Sequence, residues 1–276
     1  MHLILFTIAC QQIACVELFE RQEDLLQPYI KIHADRKRSH RYVRECQHVI
    51  HGNKTFVVHN GSNLTGKPSV DSLKYLTHKV TERKSVFEIK NRYVHGHIAV
   101  VNNPAKTFSV LYPKDERSCT EQSGIRDTVS TTSTMGKCLL ATNAGFFKTH
   151  SGGCLGNIVS NGHLVHDSQG IQNANFGIRK DGSIVTGYLP EDEVIRKENG
   201  FQQLVSGVGW LVRDGEIYVN ESKKAECADT EETGTIDRFF NVISARTAIG
   251  HDKYGRIVLA QIDGKTDVDG YALFAP

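Results

Sequence analysis

The chain lacks most of the features that would assign it quickly. It has no CxxC pair and no Cys/His spacing of the zinc-binding kind, so a structural metal site is not expected. It has no long block of one charge sign: 33 Lys and Arg against 31 Asp and Glu leave a formal charge of +2, which supplies no electrostatic footprint for nucleic acid. No apolar run reaches bilayer-spanning length, and no internal repeat or low-complexity tract interrupts the pattern. What remains is 276 residues with enough apolar content for a real core, which is one large domain or a domain behind a processed leader.

The N-terminus carries the first positive signal. Leu3 to Ala9 is an apolar stretch of signal-peptide length, followed after Gln11 and Gln12 by Ile13, Ala14, Cys15 and Val16. Residues 1–16 read as a secretory signal, with a buried N-terminal strand or helix as the alternative. Arg36 to Arg44 is a dense basic run. It is either a solvated charge run or, through Arg41 and Arg44, the Arg-x-x-Arg pair that a proprotein convertase cuts, which makes 17–44 a propeptide and Glu45 the start of the mature domain over 45–276.

Sequons at Asn53, Asn60, Asn63 and Asn220 favour a glycosylated, lumenal surface. Outside the leader the cysteines are Cys46, Cys119, Cys138, Cys154 and Cys227, an odd number that cannot all pair within the chain.

Turn chemistry then predicts the fold class. Asn161-Gly162, Asp181-Gly182, Asp214-Gly215 and the stretch from Asp252 to Gly255 each separate alternating or apolar flanks, which is the strongest short-range hairpin cue. Pro190 and the acids Glu191, Asp192 and Glu193, closed by Asn199-Gly200, read as a short helix. A second helix is expected within 125–140, weakened by the Ser/Thr run from Ser130 to Thr134. Upstream, Val86 to Ile89, His97 to Val101 and Thr107 to Tyr112 read as strands, with Asn102, Asn103 and Pro104 turning between the last two. The class is α+β, dominated by antiparallel β hairpins with a few short helices.

Chemistry-bearing residues cluster at the ends of apolar runs. Asn143, Ala144, Gly145, Phe146 and Phe147 form one such group, and the run from Ser244 to Asp252 forms another. Glycine there lets a ligand approach the backbone, and arginine suits a phosphate. Arg246 falls on the strand face opposite Ala245, Thr247 and Ile249, among small residues that leave room for a bidentate anion; a salt-bridged sheet arginine is the competing reading. Asp263 follows an apolar strand, as a general acid/base or as a turn residue. Gly152 to Gly156 matches G-x-C-x-G around Cys154, but a strand follows where a nucleophile elbow needs a helix, and a disulfide suits an oxidising lumen better. His95 and His97 share a strand face at metal-binding spacing, although surface imidazole is the ordinary reading.

These segments are long enough to be compared as a set. Asn143 to Phe147, Gly152 to Asn157, Gly170 to Gly182, Ser206 to Tyr218 and Ser244 to Asp252 closely resemble the phosphodiester glycosidase family, nearly continuously from Cys138 to Asp263. Upstream the likeness is weaker, resting on Thr107 to Leu111 and on Arg44, Glu45 and Cys46.

The resemblance implies a Golgi-lumen glycoprotein hydrolase that removes a covering N-acetylglucosamine from phosphodiesters on the phosphorylated high-mannose N-glycans of lysosomal enzymes, exposing mannose 6-phosphate. Residue chemistry, not the resemblance, assigns the roles for such a substrate: Arg246 holds the diester phosphate, Asn143, Gly145, Gly153, Asn157 and Thr247 bind substrate, and Asp263 or His251 moves the proton. The resemblance pairs Cys46 with Cys227 and Cys119 with Cys154, leaving Cys138 alone. No cofactor, metal or nucleic acid enters these expectations.

Family members continue past the equivalent of Gly270 into an Asn-Leu-Asp-Gly-Gly-Gly-Ser segment, and animal members then add an epidermal-growth-factor-like module and a membrane span. This chain stops at Pro276, without the anchor. A truncated inactive form and a secreted glycan-binding module are therefore the competing expectations.

Overall fold

The computed structural model describes residues 2–6, 13–17, 56–63, 70–83, 89–113, 119, 127–145, 147, 153–168, 173–225, 229–230, 234–241 and 245–262. In chain order, β1 (His2–Phe6), β2 (Ile13–Glu17) and β3 (Phe56–Asn60) precede two long strands, β4 (Val70–Arg83) and β5 (Ile89–Val101). The one-turn helix α1 (Pro104–Thr107) leads into β6 (Phe108–Leu111), and α2 (Val129–Met135) into β7 (Cys138–Asn143). Then come β8 (Ile158–Ser160), β9 (His163–His166), β10 (Ala174–Arg179), β11 (Ser183–Tyr188), α3 (Glu191–Val194), β12 (Phe201–Gly207), β13 (Gly209–Arg213) and β14 (Glu216–Ile217). The remainder is α4 (Val219–Ala225), β15 (Asp229–Thr230), β16 (Gly234–Thr235), α5 (Ile236–Asn241), β17 (Arg246–His251) and β18 (Ile257–Ile262).

Antiparallel pairing dominates, so the α+β class read from the turns holds. One sheet runs β14-β13-β1-β17-β18-β5-β4, a second β3-β11-β10-β12-β8-β9, and a third β6-β2-β7, with a small β15-β16 ribbon. The four hairpins form where the turn residues put them, at β8–β9, β10–β11, β13–β14 and β17–β18. Asn161 (φ 48°) with Gly162 (φ 83°), and Asp214 (φ 52°) with Gly215 (φ 89°), both take positive φ, the geometry that matches strand twist. Asp181 departs from that pattern. Positive φ falls on Gly182 (85°), whose N–H donates to Arg179 O at 2.9 Å, while the Asp181 carboxylate accepts from Ser183 N at 2.8 Å. The turn is one residue longer, and the aspartate closes it through its side chain.

Two expected elements shift. The strand read at 97–101 is the end of a longer β5 that begins at Ile89, held on one side by β4 and on the other by β18, while residues 86–88 lie outside the described residues. The Asn102-Asn103-Pro104 turn winds into α1, where Asn103 (φ 51°) and the Thr107 hydroxyl, bonded to Asn102 O at 2.7 Å and Asn103 O at 2.9 Å, close the turn. The helix sought in 125–140 survives as seven residues, because its Ser/Thr run caps itself. Thr128 Oγ1 accepts from Thr131 N at 3.1 Å, and the Ser133 and Thr134 hydroxyls both donate to Ser130 O at 2.9 Å.

The six-stranded sheet is buried on both faces. On one, Phe176, Ile178, Ile184 and Tyr188 pack with Phe108, Val110, Trp210 and Ile249 from the other two large sheets. On the other, Val185, Leu204 and Phe201 pack with Leu189 and Val194 of the α3 region. Every residue of β10 is buried, so the period-two alternation of a half-solvated strand disappears there. Trp210, fully buried, stacks edge-on against Tyr188 at 6.0 Å and Tyr218 at 5.3 Å, and each such ring contributes about 1.5–3 kcal/mol on burial.

Residues 2–6 and 13–17, inside and at the border of the segment read as a leader, are strands here. β1 lies between β13 and β17, and β2 between β6 and β7. The basic run at 36–44 lies outside the described residues. No helix among the described residues is long and apolar enough to cross a membrane.

Candidate functional site

The two segments singled out at strand ends meet in space. Asn143 closes β7 in the three-stranded sheet, and Thr247 is the second residue of β17 in the seven-stranded sheet. Thr247 Oγ1 donates to Asn143 Oδ1 at 2.6 Å, and Thr142 Oγ1 donates to the same oxygen at 3.3 Å. Thr247 is 2% exposed, and Ala144 beside Asn143 is fully buried. This contact ties two sheets together through a half-buried amide whose orientation is set by hydroxyl donors.

The loop after Asn143 is anchored in turn. Phe147 forms an isolated antiparallel bridge with Cys154, and Cys154 is disulfide-bonded to Cys119, its N–H donating to Cys119 O at 3.2 Å. The cystine excludes a free Cys154 nucleophile, and it is the Cys119–Cys154 pair that the family resemblance suggests. Gly153 (φ 84°) and Gly156 (φ 75°) turn the backbone on either side. Gly145 lies on the Asn143 side of this loop. The bridge thus links the Asn143 segment to the Gly153 segment, 145 and 153 being the two glycines expected to flank a ligand.

Asn157 begins a second polar cluster, entirely buried. Its N–H donates to Ser206 Oγ at 2.7 Å, its Nδ2 donates to Asn175 Oδ1 at 3.2 Å, and its Oδ1 accepts from both N–H and Oγ of Ser168 at 2.9 Å. Ser206 Oγ donates to Asn175 Oδ1 at 2.7 Å, and Asn175 Nδ2 donates to Asn173 O at 2.7 Å. A Cβ on Gly156 would strike the Ser206 side chain, and a His166 ring nitrogen lies 2.5 Å from Gly156 O. Ser168, Asn175, Ser206 and Thr142 escaped the sequence reading. For Asn175 and Ser206 the signal is a polar residue within an otherwise apolar strand, as in Ala174, Asn175, Phe176, whereas Ser168 follows β9 in a loop.

Arg246 lies on the other face of β17, as the strand alternation predicts. Its guanidinium stacks over Phe239 at 4.8 Å, with Nη2 donating to Phe239 O at 2.8 Å and Nη1 to Ala245 O at 3.1 Å. Burial works against its charge and lowers its pKa, but from so high a value that it stays protonated. The geometry gives it a structural duty in joining α5 to β17, on the opposite face from Asn143.

His251 is not brought to this place. It ends β17, four residues and about 13 Å of strand beyond Thr247. It is 2% exposed, 4.7 Å from the His59 ring, and burial pushes its pKa down to about 4. Asp263 lies outside the described residues. The strand before it ends at Ile262, paired with Arg246, so its chain neighbour is at the Thr247 end of the sheet.

Of the sequons, Asn60, Asn63 and Asn220 are exposed; Asn53 lies outside the described residues. So do Cys46 and Cys227. Cys138, which the resemblance leaves alone, is itself disulfide-bonded, so it is not the odd thiol. Among the described residues no group of three or more His, Cys, Asp or Glu could hold a metal.

Residues 136–274 match the family model described as phosphodiester glycosidase. Bovine N-acetylglucosamine-1-phosphodiester alpha-N-acetylglucosaminidase is 44% identical over 254 residues, 92% of this chain and 45% of the bovine one. The mouse protein of the same name is 48% identical over 198 residues, 72% of this chain and 38% of its own. This chain therefore spans less than half the length of those relatives. Among solved structures, the zebrafish catalytic domain of that name, auto-inhibited by its pro-peptide, superposes with a TM-score of 0.72 at 45% identity, covering 94% of this chain and 80% of that one.

Proposed function

This chain belongs to the phosphodiester glycosidase family, and from that premise we propose that it hydrolyses GlcNAc-alpha-1-phospho-6-mannose diesters on the glycans of lysosomal enzymes. Water adds across the diester linkage, free N-acetylglucosamine leaves, and the phosphate stays on mannose as a monoester. The exposed mannose 6-phosphate is the sorting signal. The contact between Asn143 and Thr247 carries the reading, since it joins two family segments that lie 104 residues apart.

In this scheme the Asn143 amide and the backbone around Gly145 and Gly153 orient the sugar at the junction of the sheets. Arg246 supplies positive charge at the same strand end from the opposite face, and Asp263, next in the chain after the residue paired with Arg246, activates the water. Asn157 acts from behind, holding the Gly153–Gly156 turn through its buried bonds. His251, neutral and at the far end of β17, keeps to the core.

The setting is the secretory pathway, with the Golgi lumen as the working compartment. The exposed sequons and the leader-like 1–16 support it. The basic run at Arg41 and Arg44 supports cleavage by a convertase. By analogy with the auto-inhibited zebrafish domain, residues 17–44 hold the site closed until that cleavage.

The test is release of N-acetylglucosamine from a GlcNAc-phosphomannoside by the chain cleaved after Arg44, beside its N143A and D263N variants. Turnover that falls at least about a hundredfold in both supports the assignment. Binding of the diester with no turnover by the unsubstituted chain would replace the hydrolase by a glycan-binding module.

A further inference from the structure

The sequon Asn220-Glu221-Ser222 lies inside α4, and the fold sends its two chemical ends opposite ways. Asn220 is exposed, whereas Ser222 is fully buried. Residues i and i+2 of a helix point about 200° apart, so one faces solvent where the other faces the core. Ser222 Oγ accepts from Trp210 N at 2.8 Å and lies 2.8 Å from the Tyr188 hydroxyl oxygen, and Trp210 and Tyr188 are themselves fully buried. The Ser222 N–H donates to Tyr218 O at 2.9 Å, which fixes this turn of the helix.

The hydroxyl two residues after the asparagine is what makes a sequon an acceptor. Transfer joins Asn220 Nδ2 to C1 of an oligosaccharide carried on a lipid diphosphate. The C–N bond forms, the C–O bond to the diphosphate breaks, the diphosphate leaves with its electron pair, and an amide proton passes to a base of the transferase. Amide and hydroxyl must be read together in one site. In α4 they stand on opposite faces, and the hydroxyl is held by Trp210 and Tyr188. The Asn60-Gly61-Ser62 sequon differs: it runs off the end of β3, and Ser62 Oγ, on a half-buried residue, accepts from Asn103 N at 2.9 Å.

Resting on the lumenal setting of the proposal above, we propose that Asn220 is an N-glycosylation site with a closing window. It takes its glycan only before α4 docks on β13, and the seating of Ser222 against Trp210 ends its competence. One hydroxyl serves the transferase first and the core afterwards. A chain that folds unmodified therefore stays unmodified at Asn220. Asn60 stays open longer, because freeing Ser62 opens one contact to Asn103, whereas freeing Ser222 unpacks a helix from Trp210 and Tyr188. A glycan once attached points to solvent from the exposed face of α4 and leaves the docking of Ser222 unhindered.

The test incubates the folded, glycan-free chain, and the same chain held unfolded by reduction and alkylation, with purified oligosaccharyltransferase and a lipid-diphosphate oligosaccharide. Glycopeptide mass spectrometry reads Asn220 and Asn60. Unfolding is expected to speed transfer to Asn220 by at least about tenfold, and by more than it speeds transfer to Asn60. Equal rates at Asn220 in the two states overturn the proposal, and so does an effect no larger than that at Asn60. Should the glycan-free chain not hold its fold, a pulse-chase in cells on the N53Q/N60Q/N63Q chain, which keeps Asn220, decides instead. Transfer is expected to end before protease resistance appears, and transfer to resistant chains overturns the window. Occupancy of the secreted chain is read separately. A product bare at all four sequons counts against the lumenal setting, while the comparison of folded with unfolded chain still decides the window.

Discussion

Thr247 Oγ1 donates a 2.6 Å hydrogen bond to Asn143 Oδ1 across 104 residues of chain, joining the last residue of β7 to the second of β17. Thr247→Val keeps the shape and removes the donor. We expect a loss of about 1–2 kcal/mol in stability, with kcat falling more than KM rises, because the amide loses its orientation before the pocket loses its form. Thr247→Ser restores the donor and is expected to recover most of kcat. Denaturant titration and steady-state kinetics on the three proteins check this, and equal kcat in all three contradicts it.

Ser206 serves two partners at once, accepting from Asn157 N and donating to Asn175 Oδ1, both at 2.7 Å. Ser206→Ala therefore strands a buried N–H and weakens the hold on a buried amide, at a cost of about 2–3 kcal/mol. Combined with Asn175→Ala the loss is expected to fall short of the sum by about 1 kcal/mol, since both substitutions break the same network. A double-mutant cycle by urea denaturation measures the coupling, and strict additivity would mean that the network is not cooperative.

His251 gives a pH dependence with a defined sign. Its folded pKa is pushed down to about 4 from an unfolded value near 6.5, so the unfolded chain binds more protons between those values. Its contribution to stability is complete above pH 6.5 and is lost as pH falls toward 4. The loss is of order 3 kcal/mol. The aspartates whose pKa is lowered, Asp181 and Asp252, act below this window. His251→Gln is expected to flatten stability between pH 6.5 and 4 by thermal melting, and a melt as steep as that of the parent chain removes His251 as the cause.

Arg246 has two duties that separate by substitution. Arg246→Ala loses the carbonyl bonds to Phe239 and Ala245 as well as the charge, and is expected to lower stability by about 2 kcal/mol and activity together. Arg246→Lys keeps the charge and loses the planar fork. If charge at the strand end serves the diester, the lysine variant keeps at least about a tenth of kcat/KM while the alanine variant keeps about a thousandth or less. Activity that tracks the melting temperature in both would leave Arg246 a purely structural residue.

Local chemistry made much of the fold legible. Asn161-Gly162 and Asp214-Gly215 announce their hairpins because few other residue pairs accept two consecutive positive φ angles, and that preference does not depend on what the strands pack against. The length of β5 was hidden, since its continuity depends on β4 and β18 lying on either side of it. Burial of β10 on both faces was hidden for the same reason. At the candidate site, strand alternation correctly put Arg246 and Thr247 on opposite faces. Asn175 and Ser206 stand out as polar residues in apolar strands, but their partners were not legible, because a serine or asparagine in a strand reads the same whether it faces water or another amide; Ser168 lies in a loop, where a serine carries no such signal.

Turn preference and motif spacing are written along the chain, and they specify the hairpins, the family and the candidate site residues. The folded structure sets which of those candidates meet. It joined Asn143 to Thr247, turned Arg246 toward Phe239 on the other face, left His251 at the far end of its strand, and set residues 2–6 and 13–17 in interior strand positions. Which strands become neighbours depends on contacts between segments far apart in the chain, and the periodicity within one segment does not contain them.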